Sequence, residues 1–157
     1  MAFALSKERR TEAEDILKRY PVKRAALLPV LWLIQDEAGY VSDDAVRFVA
    51  NFLGISEADV LGVLTFYTMF ARKPAGRHHV QVCTNLCCRL KGADWLLSYL
   101  RDKLGIDVGG ITPDGKFHLS TVECLGSCGT APMMQIGNDY YENLDSEKVD
   151  RIISNLK

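Results

Sequence analysis

The sequence predicts an α/β chain in two parts. A small N-terminal helical bundle covers residues 1–72, and a mixed-sheet domain covers residues 77–157. Three observations carry this. In the first part apolar residues recur at helical spacing, and several runs follow a capping residue. In the second part strand-like and helix-like segments alternate. All five cysteines lie in the second part, as Cys83, Cys87 and Cys88 in one group and Cys124 and Cys128 in another.

In the first part, Ala13, Ile16, Leu17 and Tyr20 form an apolar stripe, and Pro21 closes the element. Thr11 with Glu14 reads either as a capping box or as the interior of a helix starting near Ser6. Residues 23–38 are rich in leucine, and Gly39 is a C′ candidate. Pro29 within them marks either a kink or a helix start. Ser42 caps a third helix, with Asp43 and Asp44 at its positive end and Val46, Val49, Ala50 and Leu53 inward. Ser56 and Asp59 repeat the signal before Val60, Val63 and Leu64. Four short helices with short connections suit a bundle. The stretch Thr65-Phe66-Tyr67-Thr68-Met69-Phe70 is aromatic and β-prone, and reads as a core-packing segment or as a contact surface for a partner. Residues 72–77 combine charge, proline and glycine, the composition of a domain boundary.

The second part opens with a strand at residues 79–82 that delivers Cys83. Residues 86–92 read as a loop. Trp95, Leu96, Leu97, Leu100 and Leu104 form a helical stripe ended by Gly105. Pro113-Asp114-Gly115 is a turn, and a strand at residues 117–122 delivers Cys124. Residues 133–136 and Tyr140-Tyr141 flank a tight loop at Gly137-Asn138-Asp139. Asp145 or Ser146 caps a last helix with Val149, Ile152, Ile153 and Leu156 inward. A βαβ unit followed by ββα is the thioredoxin-like plan, with a mixed four-stranded sheet.

Composition narrows the function. The 157 residues are 48% hydrophobic and 25% charged, as in an ordinary globular protein with a real core. Lysine and arginine number 19, aspartate and glutamate 20, and the net charge of −1 gives no basic excess for nucleic acid. The longest apolar run, residues 25–34, falls short of the roughly 18–20 residues that span a bilayer, so no membrane insertion is expected. The N-terminus places Phe3 and Leu5 ahead of Lys7, Arg9 and Arg10, the reverse of a signal peptide. The protein is therefore expected in the cytoplasm, or on the face of a larger assembly.

Cys83 and Cys88 are spaced C-x4-C, and Cys124 and Cys128 C-x3-C. Each pair follows a predicted strand. Two strands of a βαβ unit that lie side by side bring the loops after them to one sheet edge, where four thiolates can meet. Thiolates bind iron–sulfur clusters and structural zinc. Zinc ribbons mostly use pairs two residues apart, whereas wider loops suit a two-iron cluster with one iron per pair. Zinc and inert buried cysteines remain the alternatives. No C-x-x-C redox dithiol is present. Gly92, Gly126 and Gly129 would let backbone N–H groups approach sulfur. Arg89 and Lys91 read either as offsets to a cluster's negative charge or as solvated surface charges. A mixed site using His78, His79 or His118 would leave one cysteine pair idle, so ordinary strand or surface histidines explain these better. No glycine-rich phosphate loop and no G-x-G-x-x-G motif is present, so no nucleotide site is expected on this chain.

The runs Cys83-Thr84-Asn85-Leu86-Cys87-Cys88-Arg89-Leu90-Lys91-Gly92 and Glu123-Cys124-Leu125-Gly126-Ser127-Cys128-Gly129-Thr130-Ala131-Pro132-Met133-Met134-Gln135-Ile136 resemble the cluster loops of the 24-kilodalton subunit family of respiratory complex I, the NADH:quinone oxidoreductase. Ala38-Gly39-Tyr40-Val41 and Gly62-Val63-Leu64-Thr65-Phe66-Tyr67-Thr68-Met69-Phe70 resemble the same family, which extends the likeness from about residue 20 to residue 144. The resemblance implies one [2Fe–2S] cluster held by Cys83, Cys88, Cys124 and Cys128. It implies an enzyme subunit without catalytic residues of its own, an electron carrier in complex with a subunit that holds FMN and NADH. It places the chain on the cytoplasmic side of a membrane-bound complex. Homologous subunits serve NAD-linked hydrogenases and formate dehydrogenases. Cys87 stands where many relatives carry a residue such as proline.

Two further function classes compete. A free-standing [2Fe–2S] ferredoxin would have little use for the helical first part, which a fixed subunit can use for docking. A zinc-stapled interaction module would be colourless.

Overall fold

The computed structural model describes residues 3–156, which fall into two compact units divided between residues 74 and 75. In the first unit α1 spans Lys7–Lys18. Ser6 is its N-cap, accepting the Arg9 N–H at 3.3 Å, while the Thr11 hydroxyl lies inside the helix and donates to the Lys7 carbonyl. The early start is therefore the correct one. A 3-10 turn at Lys23–Ala26 runs into α2, Leu27–Ala38. Pro29 falls in the first turn of α2, where backbone N–H groups have no helical partner to lose, so no kink is needed. Gly39 closes α2 at φ 79°, a left-handed conformation that favours glycine.

Ser42 and Ser56 cap α3, Asp43–Leu53, and α4, Glu57–Phe66, each accepting a backbone N–H at 3.1 Å. Leu31, Ile34, Val49 and Val60 are fully buried at the centre of the core they share. The segment at residues 65–70 departs from the β-prone expectation. The stripe through Val60 and Leu64 carries α4 on to Phe66, and the Thr65 hydroxyl bonds back to the Leu61 carbonyl. Helical packing overrides local β propensity here. The aromatics then divide. Phe70 is 7% exposed and lies 5.5 Å from the Trp32 ring, whereas Phe66 is 75% exposed. The Gln35 side chain pins the turn between them, donating to the Met69 carbonyl and accepting the Ala71 N–H.

The second unit is a four-stranded sheet with helices packed on one face. Its strands are β1, His78–Cys83; β2, Phe117–Val122; β3, Met134–Ile136; and β4, Asp139–Tyr141. Their order is β2-β1-β3-β4, with β1 parallel to β2 and the other neighbours antiparallel. The stretch at residues 86–92, expected as a loop, is partly helical. Leu86–Leu90 form a short helix, α5, capped by the Asn85 side chain on the Leu86 N–H. One turn of helix is too short to show a period. Alternation sends Val80, Val82, Leu119, Met134 and Ile136 into one core with Leu96 and Leu100 of α6, Ala93–Leu104, and with Val149 and Ile153 of α7, Ser146–Asn155. Gly105 ends α6 in the left-handed region, and Asp145 caps α7.

Across the sheet, the register partners His79 and His118 stack at 4.4 Å, nearly parallel. His79 Nε2 lies 2.7 Å from Ser120 Oγ. Burial, and then the neighbouring His118, push the His79 pKa from 6.5 down to about 4; burial lowers His118 as well. Between those pH values the unfolded chain binds more protons at His79 than the folded one. Its contribution to stability is therefore complete above about pH 6.5 and is lost as the pH falls toward 4. Denaturant unfolding of His79→Gln across this range should show a flatter loss of stability with acid than the parent chain; an identical pH slope would contradict the assignment.

Candidate metal centre

The site is built from the ends of β1 and β2. Cys83 is the last residue of β1, and its parallel register partner, Val122, is the last of β2. The two strands stop level with one another, so the chain leaves both at the same sheet edge. The Thr84 N–H and hydroxyl both donate to the Val122 carbonyl, tying the first loop to the second strand. On the other side the Cys83 N–H donates to the Met133 carbonyl, just before β3.

Cys83 and Cys88 are buried with Ala93 and Met133 in a small apolar cluster, against which Leu125 and Ala131 pack. Cys87 is half-buried, and Cys124 and Cys128 are exposed. Adjacent residues on α5 point about 100° apart, which sends the Cys88 side chain into the buried cluster and leaves Cys87 only half-buried. The thiols of the two loops influence one another electrostatically, Cys83 with Cys88 and Cys124, and Cys128 with Cys87 and Cys124. Among the described residues no three histidine, cysteine or acidic side chains surround a single ion position.

Burial opposes ionisation of Cys83, but N–H groups of Asn85 and Leu125, with the Cys88 and Cys124 thiols, outweigh it and hold the group below the ordinary thiol value. Burial and the neighbouring Cys83 push Cys88 up to about 11. The Cys87 thiol raises Cys128. Cys83 is thus held toward its thiolate form, while Cys88 and Cys128 are held toward the thiol. The Gly126 N–H donates to Cys124 Sγ at 3.3 Å, and Gly126 takes φ 78°. Soft donors supplied with N–H hydrogen bonds are the chemistry of an iron–sulfur ligand set, and these residues fit one.

The other expected contributors behave differently. Gly92, at φ 107°, turns the chain from α5 into α6. A Cβ at Gly129 would meet nothing within 4 Å, so no close approach requires that glycine. Arg89 is exposed and pairs with Asp94 at 3.6 Å, and Lys91 is exposed too, both as solvated surface charges. His79 and His118 pair with one another, and the His78 ring lies against Phe117, so the mixed histidine–cysteine arrangement gains no support.

Residues that hold the second loop escape sequence reasoning. The Glu142 carboxylate accepts hydrogen bonds from the Ser127 and Thr130 hydroxyls, on either side of Cys128. These bonds, Ser127 first, hold its pKa below the ordinary carboxylate value. The Tyr140 hydroxyl donates to the Leu125 carbonyl at 2.9 Å, and the Asn143 N–H to the Thr130 carbonyl at 2.7 Å. Glu142 follows Ser127 by 15 residues, and only the β3–β4 hairpin brings it back. Glu142→Ala should free the loop around Cys128 and speed amide hydrogen exchange at Thr130 and Asn143 several-fold, with α6 unchanged. Unaltered exchange would remove Glu142 from this role.

The model of the family described as thioredoxin-like [2Fe-2S] ferredoxin matches residues 13–157. The chain is 44% identical over 148 residues to an NADH-quinone oxidoreductase E subunit of Rhizobium meliloti, covering 94% of this chain and 88% of that protein. It is also 44% identical over 158 residues to the NADH-quinone oxidoreductase E subunit of Rickettsia bellii, covering 99% and 95%. Among solved structures, an NAD+-reducing [NiFe]-hydrogenase in the air-oxidised state superposes with a TM-score of 0.68 at 19% identity. That match covers 85% of this chain but only 22% of the hydrogenase chain, and it shows a shared fold. A matching family model over most of the chain, with relatives this similar over nearly its full length, leaves one conclusion: the chain belongs to the thioredoxin-like [2Fe-2S] ferredoxin family.

Proposed function

We propose that this chain is the electron-transfer subunit of an NADH:quinone oxidoreductase, with one [2Fe–2S] cluster on Cys83, Cys88, Cys124 and Cys128. The observation that carries this is the level ending of parallel β1 and β2, which brings a C-x4-C and a C-x3-C loop to one edge of the sheet. Cys88 is assigned in preference to Cys87 because it is buried beside Cys83. The names of the relatives support the host complex. A bound cluster supplies one-electron storage. The chain's own part is to present four thiolates, to direct N–H groups at Cys83 and Cys124, and to shield Cys83 and Cys88 from water.

The partner in this reading is the flavin- and NADH-binding subunit, which performs the hydride chemistry. The helical part, residues 1–72, serves in docking, and the exposed Val22, Phe66 and Met69 are among the apolar groups it offers. No described helix is long and apolar enough to cross a membrane, which suits a peripheral subunit. The reading places it on the cytoplasmic side of the complex. An equivalent place in an NAD-linked hydrogenase or formate dehydrogenase calls for the same site, and identification of the co-purifying subunits decides between these hosts.

The isolated, flavin-free chain should not reduce dyes with NADH, whereas its complex with the flavin subunit should; NADH-dependent reduction by the chain alone would contradict the division of labour. Cys87→Ser should leave iron content and the reduced-state EPR spectrum close to those of the parent chain. Cys88→Ser should shift the spectrum or empty the site, because serine offers a harder donor than thiolate. The reverse pattern would move the ligand from Cys88 to Cys87.

A further inference from the structure

The clamp on the second loop carries more charge than its bonds require. The Ser127 and Thr130 hydroxyls both donate to the same oxygen of Glu142, Oε1, the Thr130 bond at 2.6 Å. Each hydroxyl has one proton, and a charged acceptor takes it ahead of a neutral one such as the Ser127 carbonyl, 3.2 Å from the Thr130 hydroxyl. An amide oxygen at the Oε1 position would accept the same two bonds. The negative charge is therefore surplus to holding the loop. Lys148 and Arg151 line a cleft with Glu142, but Lys148 Nζ donates to the Asn143 carbonyl. Among the described residues neither cation forms an ion pair with Glu142, whose partners are the two neutral hydroxyls.

The charge stands beside the metal centre. Ser127 precedes Cys128, and Thr130 closes the 3-10 turn Cys128–Thr130. Glu142 is half-buried and fixed there by both bonds, whereas Glu123, the other carboxylate next to a thiol, is exposed and screened by water and salt. Resting on the cluster assignment above, we infer that Glu142 lowers the reduction potential of the cluster through a fixed negative charge on its Cys128 side. Reduction adds one electron, and so one negative charge, to the cluster, and no bond forms or breaks. A carboxylate already fixed nearby opposes the added charge.

The test uses the full-length chain, purified anaerobically, as parent, Glu142→Gln, Arg151→Glu and Asp102→Asn. Iron and acid-labile sulfide per chain are measured first. Protein-film voltammetry, in which the electrode supplies the electron, reads the midpoint potential, and amide exchange at Thr130 and Asn143 reports the state of the loop. Asp102 is exposed near the far end of α6 and controls for net charge alone. Glu142→Gln should shift the midpoint upward, a several-fold gain in the equilibrium constant for reduction, with exchange as in the parent. Asp102→Asn should shift it far less. Arg151→Glu puts a negative charge on the same cleft without touching a loop bond, and should shift the midpoint downward.

A Glu142→Gln midpoint equal to that of the parent, or moved no further than by Asp102→Asn, would overturn the inference and leave Glu142 as a clamp alone. Should the glutamine variant lose its iron or free the loop, Arg151→Glu decides: a downward shift supports the inference, and an unchanged midpoint overturns it. Either result leaves the cluster assignment standing. A parent chain without iron and sulfide would end the cluster reading itself.

Discussion

The parallel pairing of β1 with β2 is the constraint on which the site depends. The register sets Cys83 opposite Val122, so two loops distant in sequence begin at the same height on the same edge. A slip of one residue would send Cys83 to the opposite face of the sheet and bring the apolar Val80 and Val82 out of the core with it. The core that α6 and α7 build on that face therefore holds the metal centre in register, although neither helix contributes a thiol. The position of the site is settled by apolar packing, and its chemistry by the few residues beyond the strand ends.

The two loops are restrained in different ways. The first is short, begins with a capped helical turn, and buries both of its paired thiols against Met133 and Ala93. The second lies outside that cluster, exposes Cys124 and Cys128, and depends on polar clamps from the β3–β4 hairpin. Exposure on one side and shielding on the other suit an electron carrier. One side of such a site can lie close to a partner's cofactor, while the other is kept from solvent.

Much of this is legible in the residues. Serine caps at Ser42 and Ser56, the glycine stops at Gly39, Gly54 and Gly105, and the alternation along β1 and β2 rest on local physics that a single sequence displays. Two stretches mislead for a common reason, that their signal is too short or too mixed to show a period. The single turn of α5 resembles a loop, and the end of α4 looks β-prone because Thr65, Phe66 and Tyr67 favour strands in isolation. Glu142 is out of reach altogether. Its partners Ser127 and Thr130 are met only after the hairpin folds back, and no spacing rule connects a carboxylate to hydroxyls across a turn.

The central claim is that both loops hold one binuclear cluster. Mössbauer spectroscopy of the anaerobically purified, isotopically enriched protein tests it most directly. The account predicts two iron sites in equal amount, both ferric and sulfur-coordinated when oxidised, with one becoming ferrous on one-electron reduction. A single mononuclear iron site, or a colourless protein with stoichiometric zinc and no sulfide, would contradict it.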